Sequence, residues 1–227
     1  ENIEIKDFKP RLYQESILKT AINKNTLVVL PTGIGKTFIS LLLAENRLNK
    51  FPNSKVLVLT PTKPLSNQFK EVFKKHTNID NIVLLTGAIK PSERSKLWQE
   101  ATVIVATPQT IQKDLENNRI SLEDTSLLTI DEAHRSRMKY ANTVVAKNYL
   151  NKSKFSRILA LTASPGSSKE RINEIMDNLG IEAIEIRTEH DEELKPYVQK
   201  RDIEWINVDL TEDFQKLRVL IKKVYIY

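Results

Sequence analysis

The chain has no cysteine among its 227 residues. That absence excludes a disulfide framework, thiolate zinc sites and cysteine nucleophiles together. Long apolar runs are missing as well. Stretches such as Leu27–Leu30 and Val56–Leu59 fall far short of the ~20 residues that cross a bilayer as a helix, so no membrane partner is expected. No charged-then-apolar leader opens the sequence, and the expected setting is soluble and intracellular. Internal repeats and low-complexity segments are lacking too. Neither sign of charge dominates: 35 basic and 29 acidic residues leave +6, spread over a chain that is 28% charged. The excess leans only mildly toward a polyanionic partner such as nucleic acid. A hydrophobic content of 40% argues against wholesale disorder. A chain of this length makes one generous domain or two small ones, burying roughly 70% of its unfolded surface.

Short apolar runs recur: Thr26–Leu30, Lys55–Thr60, Asn81–Thr86, Thr102–Ala106, Ser126–Asp131, Arg157–Thr162, Ala183–Arg187 and Glu204–Val208. Most are continuous and β-branched, the pattern of strands covered on both faces. Helical spacing separates them, as in Leu65, Phe69, Val72 and Phe73, or Ile172, Ile175, Met176 and Leu179. Ser167 with Glu170 offers a capping box for the second of these helices, and Gly180 a stop. Alternation of strand and helix predicts an α/β fold with a mostly parallel sheet. The acidic stretch Glu189–Glu193 reads either as a connection leaving the compact domain or as a solvated loop, which charge runs more often are. Beyond Thr211, an N-cap, Phe214, Leu217, Leu220, Ile221 and Val224 stripe one side of a helix. That stripe either packs back on the domain or awaits a following segment.

Residues 30–37 read Leu-Pro-Thr-Gly-Ile-Gly-Lys-Thr, between the strand Thr26–Leu30 and the helical Phe38–Leu48. This is the setting of a phosphate-binding loop. Gly33 and Gly35 let backbone N–H groups wrap around phosphate oxygens, and the helix start adds partial positive charge. Lys36 supplies a point charge for the outer phosphates, and the Thr37 hydroxyl can ligate Mg²⁺. Leu30 stands where the general G-x-x-x-x-G-K-[ST] pattern has its first glycine.

A second constellation, Asp131-Glu132-Ala133-His134, closes the apolar strand Leu127–Ile130. In open parallel sheets ligands gather at the carboxyl ends of strands. Asp131 is placed to share Mg²⁺ with Thr37, and Glu132 to polarise an attacking water. Two adjacent acids at a buried strand end ask for a cation. By composition alone, Asp, Glu and His could also form a transition-metal cluster. His134 in isolation is either a hydrogen-bonded structural group or part of the chemistry.

Pro31–Thr37 followed by Asp131–His134 resembles motifs I and II of superfamily 2 nucleic-acid helicases of the DEAH-box type. Other segments appear in order. Arg11-Leu12-Tyr13-Gln14 resembles the adenine-recognising Q element, and Thr60–Leu65 resembles motif Ia. Thr86-Gly87 and Ala106–Gln109 resemble segments that touch the nucleic-acid backbone, and Thr162-Ala163-Ser164 resembles motif III. Asp131–Arg135, Leu161–Gly166, Asn178–Glu182 and Lys195–Val198 are most similar to the Hef and Fanconi anaemia group M branch of fork-remodelling helicases.

The resemblance, which covers residues 8–210, implies a RecA-like P-loop NTPase domain using ATP and Mg²⁺. It implies catalytic roles for Lys36, Asp131, Glu132 and His134, and nucleotide contacts from Arg11, Gln14, Thr32, Gly33, Ile34, Gly35, Lys36 and Thr37. Mg²⁺ would sit on Thr37 and Asp131. Branched or single-stranded DNA would meet Thr62, Lys63, Thr86, Gly87, Thr107 and Gln109, while Thr162 and Ser164 couple the two sites. Thr62 and Thr107 have a second reading as helix caps. Lys70, Lys74 and Lys75, with Arg135, Arg137 and Lys139, read first as solvated faces, and Trp98 and Trp205 as core before base-stacking. No glutamine-x-x-arginine-x-x-arginine pattern follows Ser164.

Residues 1–210 are therefore expected to form a first motor domain, and 211–227 the start of a helical insertion or linker toward a second RecA-like domain of the same full-length chain. The expected function is the ATP-binding part of a DNA helicase or translocase in repair or replication restart, weakly active alone. Its setting would be cytoplasmic and nucleoid-associated in a prokaryote, nuclear in a eukaryote. The alternatives are an RNA-duplex-stimulated ATPase of the innate-sensor type and a non-catalytic helicase-like scaffold.

Overall fold

The computed structural model describes residues 2–137, 140–164, 169–197, 206, 208 and 211–225. Seven strands, β1 (Thr26–Val29), β2 (Lys55–Leu59), β3 (Ile82–Leu85), β4 (Val103–Ala106), β5 (Thr125–Ile130), β6 (Ile158–Thr162) and β7 (Ala183–Ile186), match the first seven apolar runs. The eighth, Glu204–Val208, lies outside the described residues apart from 206 and 208. The strands form one sheet in the order β3-β4-β2-β5-β6-β1-β7, and every pairing is parallel.

Continuous apolar runs make sense once both faces are considered. Leu27, Val29, Leu57 and Leu59 belong to one buried cluster, while Val28, Leu30, Val56 and Val58 belong to another. Successive strand residues point to opposite faces, so a strand buried twice must be apolar throughout. Helices α1 (Leu12–Asn23), α2 (Lys36–Lys50) and α3 (Lys63–His76) supply Tyr13, Ile17, Ile39, Leu43, Phe69 and Phe73 to the second cluster. On the opposite face lie α4 (Pro91–Glu100), α5 (Pro108–Glu116), α6 (Ala141–Lys152) and α7 (Lys169–Leu179), with Trp98, Ile111, Tyr149 and Ile175 packed inward. Trp98 is therefore core, and Trp205 lies outside the described residues.

Gly180 ends α7 as its position suggests, at φ +62°, with Ile181 N–H donating back to Met176 O at 2.9 Å. Ser167, the expected cap at the other end, lies outside the described residues. In two places the structure decides between alternatives. The acidic stretch 189–193 is a solvated loop, with Glu189, Glu192 and Glu193 exposed, and it does not leave the domain. Thr188 N–H donates to Asp191 Oδ2 at 2.5 Å, and Arg187 pairs with both Glu185 and Glu193. Leu194 is then fully buried in the cluster that holds Tyr13 and Ile17. One inward apolar residue anchors the loop while its acidic neighbours stay in solvent. Nor does the stripe on α8 (Glu212–Tyr225) pack back: Phe214, Leu217, Leu220 and Ile221 are all exposed.

Candidate functional site

The parallel order brings the carboxyl ends of β1, β6 and β5 side by side, with neighbouring strands about 4.8 Å apart. After β1, Leu30 N–H still donates to Thr162 O at 3.0 Å, and the chain then turns into α2. Gly33 and Gly35 sit at φ +80° and +87°, a left-handed conformation that favours glycine. A Cβ at Gly35 would also lie 2.9 Å from Gln14 Nε2, at the end of a side chain that would have to shift. The first turn of α1 grips the loop from outside. Tyr13 Oη donates to Ile34 O, Arg11 Nη1 donates to Tyr13 Oη at 3.2 Å, and Gln14 Nε2 donates to Gly35 O at 3.3 Å. Burial pushes the Tyr13 phenol above its ordinary pKa, which keeps the donor protonated.

Thr32, Gly33, Gly35, Lys36 and Thr37 line a cleft of about 350 Å³ together with Asp131 and Glu132. Lys36 Nζ is 3.4 Å from Leu30 O. Burial lowers the Lys36 pKa, against the opposing pull of Glu132 and Asp131. Asp131 is nearly buried and held by its N–H on Leu59 O at 2.8 Å. Burial first, then the Glu132 charge, pushes its carboxyl up to about 6, only partly offset by Lys36. An acid in this state gains from a cation. The donors on offer, a carboxylate and the Thr37 hydroxyl, are the hard oxygens that suit Mg²⁺ shared with phosphates. Among the described residues, no group of three or more His, Cys, Asp or Glu side chains gathers as a metal site, so the transition-metal alternative finds no support there.

Glu132 takes a left-handed φ of +52° and leads into a 3-10 turn, Ala133–Arg135. His134 Nδ1 lies 3.2 Å from Glu132 Oε2 and 3.1 Å from Thr162 Oγ1. Ser164 N–H donates to that same Thr162 oxygen at 3.2 Å. Burial is the main cause of a lowered His134 pKa, which favours neutral imidazole. Glu132, His134, Thr162 and Ser164 thus form one polar link between the ends of β5 and β6.

The ends of β2, β4 and β3 continue the row on the other side of β5. Thr62 and Lys63 follow β2, Thr107 and Gln109 follow β4, and Thr86 and Gly87 follow β3. Thr62 and Thr107 occupy N-cap positions, yet neither side chain makes a capping bond. Thr107 Oγ1 instead lies 2.8 Å from Thr110 Oγ1. Gly87, Thr107 and Gln109 share a groove of about 760 Å³ with Lys90, Lys113 and Arg119. Arg135, Arg137, Lys74 and Lys75 are exposed, Lys70 is half-buried, and Lys139 lies outside the described residues.

The family profile described as DEAD/DEAH box helicase matches residues 11–172. The chain belongs to the DEAD/DEAH box helicase family. The crystal structure of the Pyrococcus furiosus Hef helicase domain superposes with a TM-score of 0.82 at 49% identity, covering 95% of this chain and 46% of that one. This establishes the RecA-like α/β fold. A Methanocaldococcus jannaschii protein, provisionally named an ATP-dependent RNA helicase, is 42% identical over 97% of this chain and 28% of its own length. The ATP-dependent DNA helicase fml1 of Schizosaccharomyces pombe is 40% identical over 92% of this chain and 25% of its own. The chain spans about a quarter of the length of these two relatives.

Within this DEAD/DEAH box domain, three supporting groups escape sequence reasoning. Tyr13 clamps the loop, but its spacing with Ile17 and Ala21 reads simply as the buried face of α1. A buried hydroxyl pair, Ser40 Oγ with Thr129 Oγ1 at 2.9 Å, ties α2 to β5. Tyr197 stacks on Arg11 from a distant segment. Tyr13 and Tyr197 lie inside segments that carry the family resemblance, Arg11–Gln14 and Lys195–Val198, but nothing in either segment discloses these contacts.

Proposed function

We propose that this chain is the ATP-binding motor domain of an ATP-dependent DNA helicase or translocase acting on branched or forked DNA in repair or replication restart. The observation that carries the reading is the convergence of Lys36, Thr37, Asp131 and Glu132 on one cleft at adjacent strand ends. Bound Mg²⁺–ATP would supply the phosphoryl chemistry. Around it, the loop N–H groups and Lys36 hold phosphates, and Thr37 and Asp131 hold the metal. Glu132 orients water, and Arg11 and Gln14 face the base side. The His134–Thr162–Ser164 link reports nucleotide state, and the row from Thr62 to Gln109 receives the nucleic-acid backbone through hydroxyls and Lys63 without reading sequence.

Residues 1–210 form the first motor domain in this reading. Residues 211–227 begin an insertion or linker whose exposed apolar stripe is covered by a further segment, ahead of a second RecA-like domain. An arginine finger from that second domain is worth on the order of 10³–10⁵ in rate in related phosphoryl transfer, so the chain alone hydrolyses slowly. The place of work in this reading is the nucleoid or the nucleus; among the described residues no helix is long and apolar enough to cross a membrane.

Titration with a fluorescent ATP analogue tests the site. Binding is expected to require Mg²⁺ and to be lost in Lys36→Ala with the melting curve unchanged; unaltered binding in that variant would overturn the assignment. Because relatives carry both DNA- and RNA-helicase names, the longer protein should be assayed with forked DNA beside double-stranded RNA. Stronger stimulation by the RNA would reverse the substrate.

A further inference from the structure

The segment after β7 folds back across α1 instead of departing. Arg187 bonds to Glu185 and Glu193 and lies 3.4 Å from Ser16 Oγ, while Thr20 Oγ1 donates to Glu185 Oε1 at 2.5 Å. Leu194 plugs the core beside Tyr13 and Ile17 with no exposed surface. Three residues on, the Tyr197 ring lies 4.0 Å from the Arg11 guanidinium carbon and 5.9 Å from the Tyr13 ring. Arg11 also bonds to Tyr13, and Tyr13 to the Ile34 carbonyl of the phosphate loop. A continuous chain of contacts therefore runs from the far C-terminal side of the domain to the loop.

A guanidinium is planar and can stack on aromatic rings through both faces. Tyr197 covers one of them. We infer that Thr188–Tyr197 is a base-side clamp, in which Tyr197 positions the Arg11 guanidinium so that its opposite face receives the purine of the bound nucleotide. The inference rests on the ATP reading and adds Tyr197 to it as a positioning residue acting through Arg11. Order in the clamp comes from Leu194, whose burial holds the tyrosine over α1 while 41% of Tyr197 stays exposed. Truncating the ring therefore leaves the core intact.

The test separates base from phosphate. Dissociation constants for ATP and for inorganic tripolyphosphate, both with Mg²⁺, are measured on wild type, Tyr197→Ala, Tyr197→Phe and Lys36→Ala. A stacked cation of this exposure is worth a factor of about three to five. Tyr197→Ala should weaken ATP by that factor, leave tripolyphosphate unchanged, and be rescued by Tyr197→Phe. Equal losses for both ligands would make the clamp merely structural and overturn the inference. So would no loss, or tighter ATP, which would mean that Tyr197 occupies the place of the base. If wild type binds neither ligand, and Lys36→Ala changes nothing, the nucleotide reading falls and the clamp with it, a pattern distinct from the others.

Discussion

Asp131 is the residue whose charge costs the nucleotide-free protein most visibly. Its carboxyl is raised from 3.8 to about 6 by burial and by Glu132. Below about pH 4 the folded and unfolded chains both hold the proton, and no difference arises. As pH rises from 4 to 6 the unfolded chain loses the proton first, so stability falls across that window. Above 6 the penalty is complete and on the order of 2–3 kcal/mol. Asp131→Asn should therefore stabilise the metal-free protein at pH 7 by on the order of 1–3 kcal/mol and by under about 1 kcal/mol at pH 4. Urea melts at the two pH values check this, and a gain independent of pH would refute it. The raised carboxyl itself could not be foreseen from the sequence. Asp-Glu at a strand end says that a cation is wanted, whereas the carboxyl's surroundings, with Lys36 pulling its pKa back down, come from segments far away in the chain.

Between elements, a buried two-bond ion pair outside the site joins α4 to α5. Arg94 Nε and Nη2 each donate to Asp114 at 2.6 Å, and Asp114 has no exposed surface. Burial alone would raise the Asp114 pKa, but Arg94 and Arg119 hold it below the usual carboxylate range. Removing one member leaves an uncompensated buried charge. Asp114→Ala should cost about 3–5 kcal/mol in chemical denaturation, while Lys113→Ala on the exposed face of the same helix should cost under about 0.5 kcal/mol. Elements differ in how far the sequence discloses them. Strand β1, the loop and α2 are readable because glycine conformation, strand run and helix start are all local. The clamp is not: Leu194 is a single apolar residue among acids, with no period to mark it. Likewise Thr62 and Thr107 sit at N-caps as expected, yet their hydroxyls do not cap, because side-chain rotamers depend on neighbours and not on position.

For the whole molecule, the α/β class and the seven strands seen among the described residues follow from the alternation of runs, and the all-parallel sheet agrees with their two-sided apolar character. Strand order does not follow. Nothing within Thr26–Leu30 says that its partners are β6 and β7, more than 130 residues later. That wiring has a consequence for synthesis. The phosphate-loop strand is made well before both of its sheet neighbours, Leu159–Thr162 and Ala183–Ile186, which follow it by more than 130 residues. Nascent chains arrested on the ribosome after α6 would carry the glycine loop with both edges of β1 unpaired. Pulse proteolysis of such stalled chains should find residues 26–37 cleavable until β7 has cleared the exit tunnel, and early protection would refute it. A translating cell thus completes the nucleotide pocket only some 130 residues or more after starting it, leaving an apolar strand for a chaperone to shield in the interval.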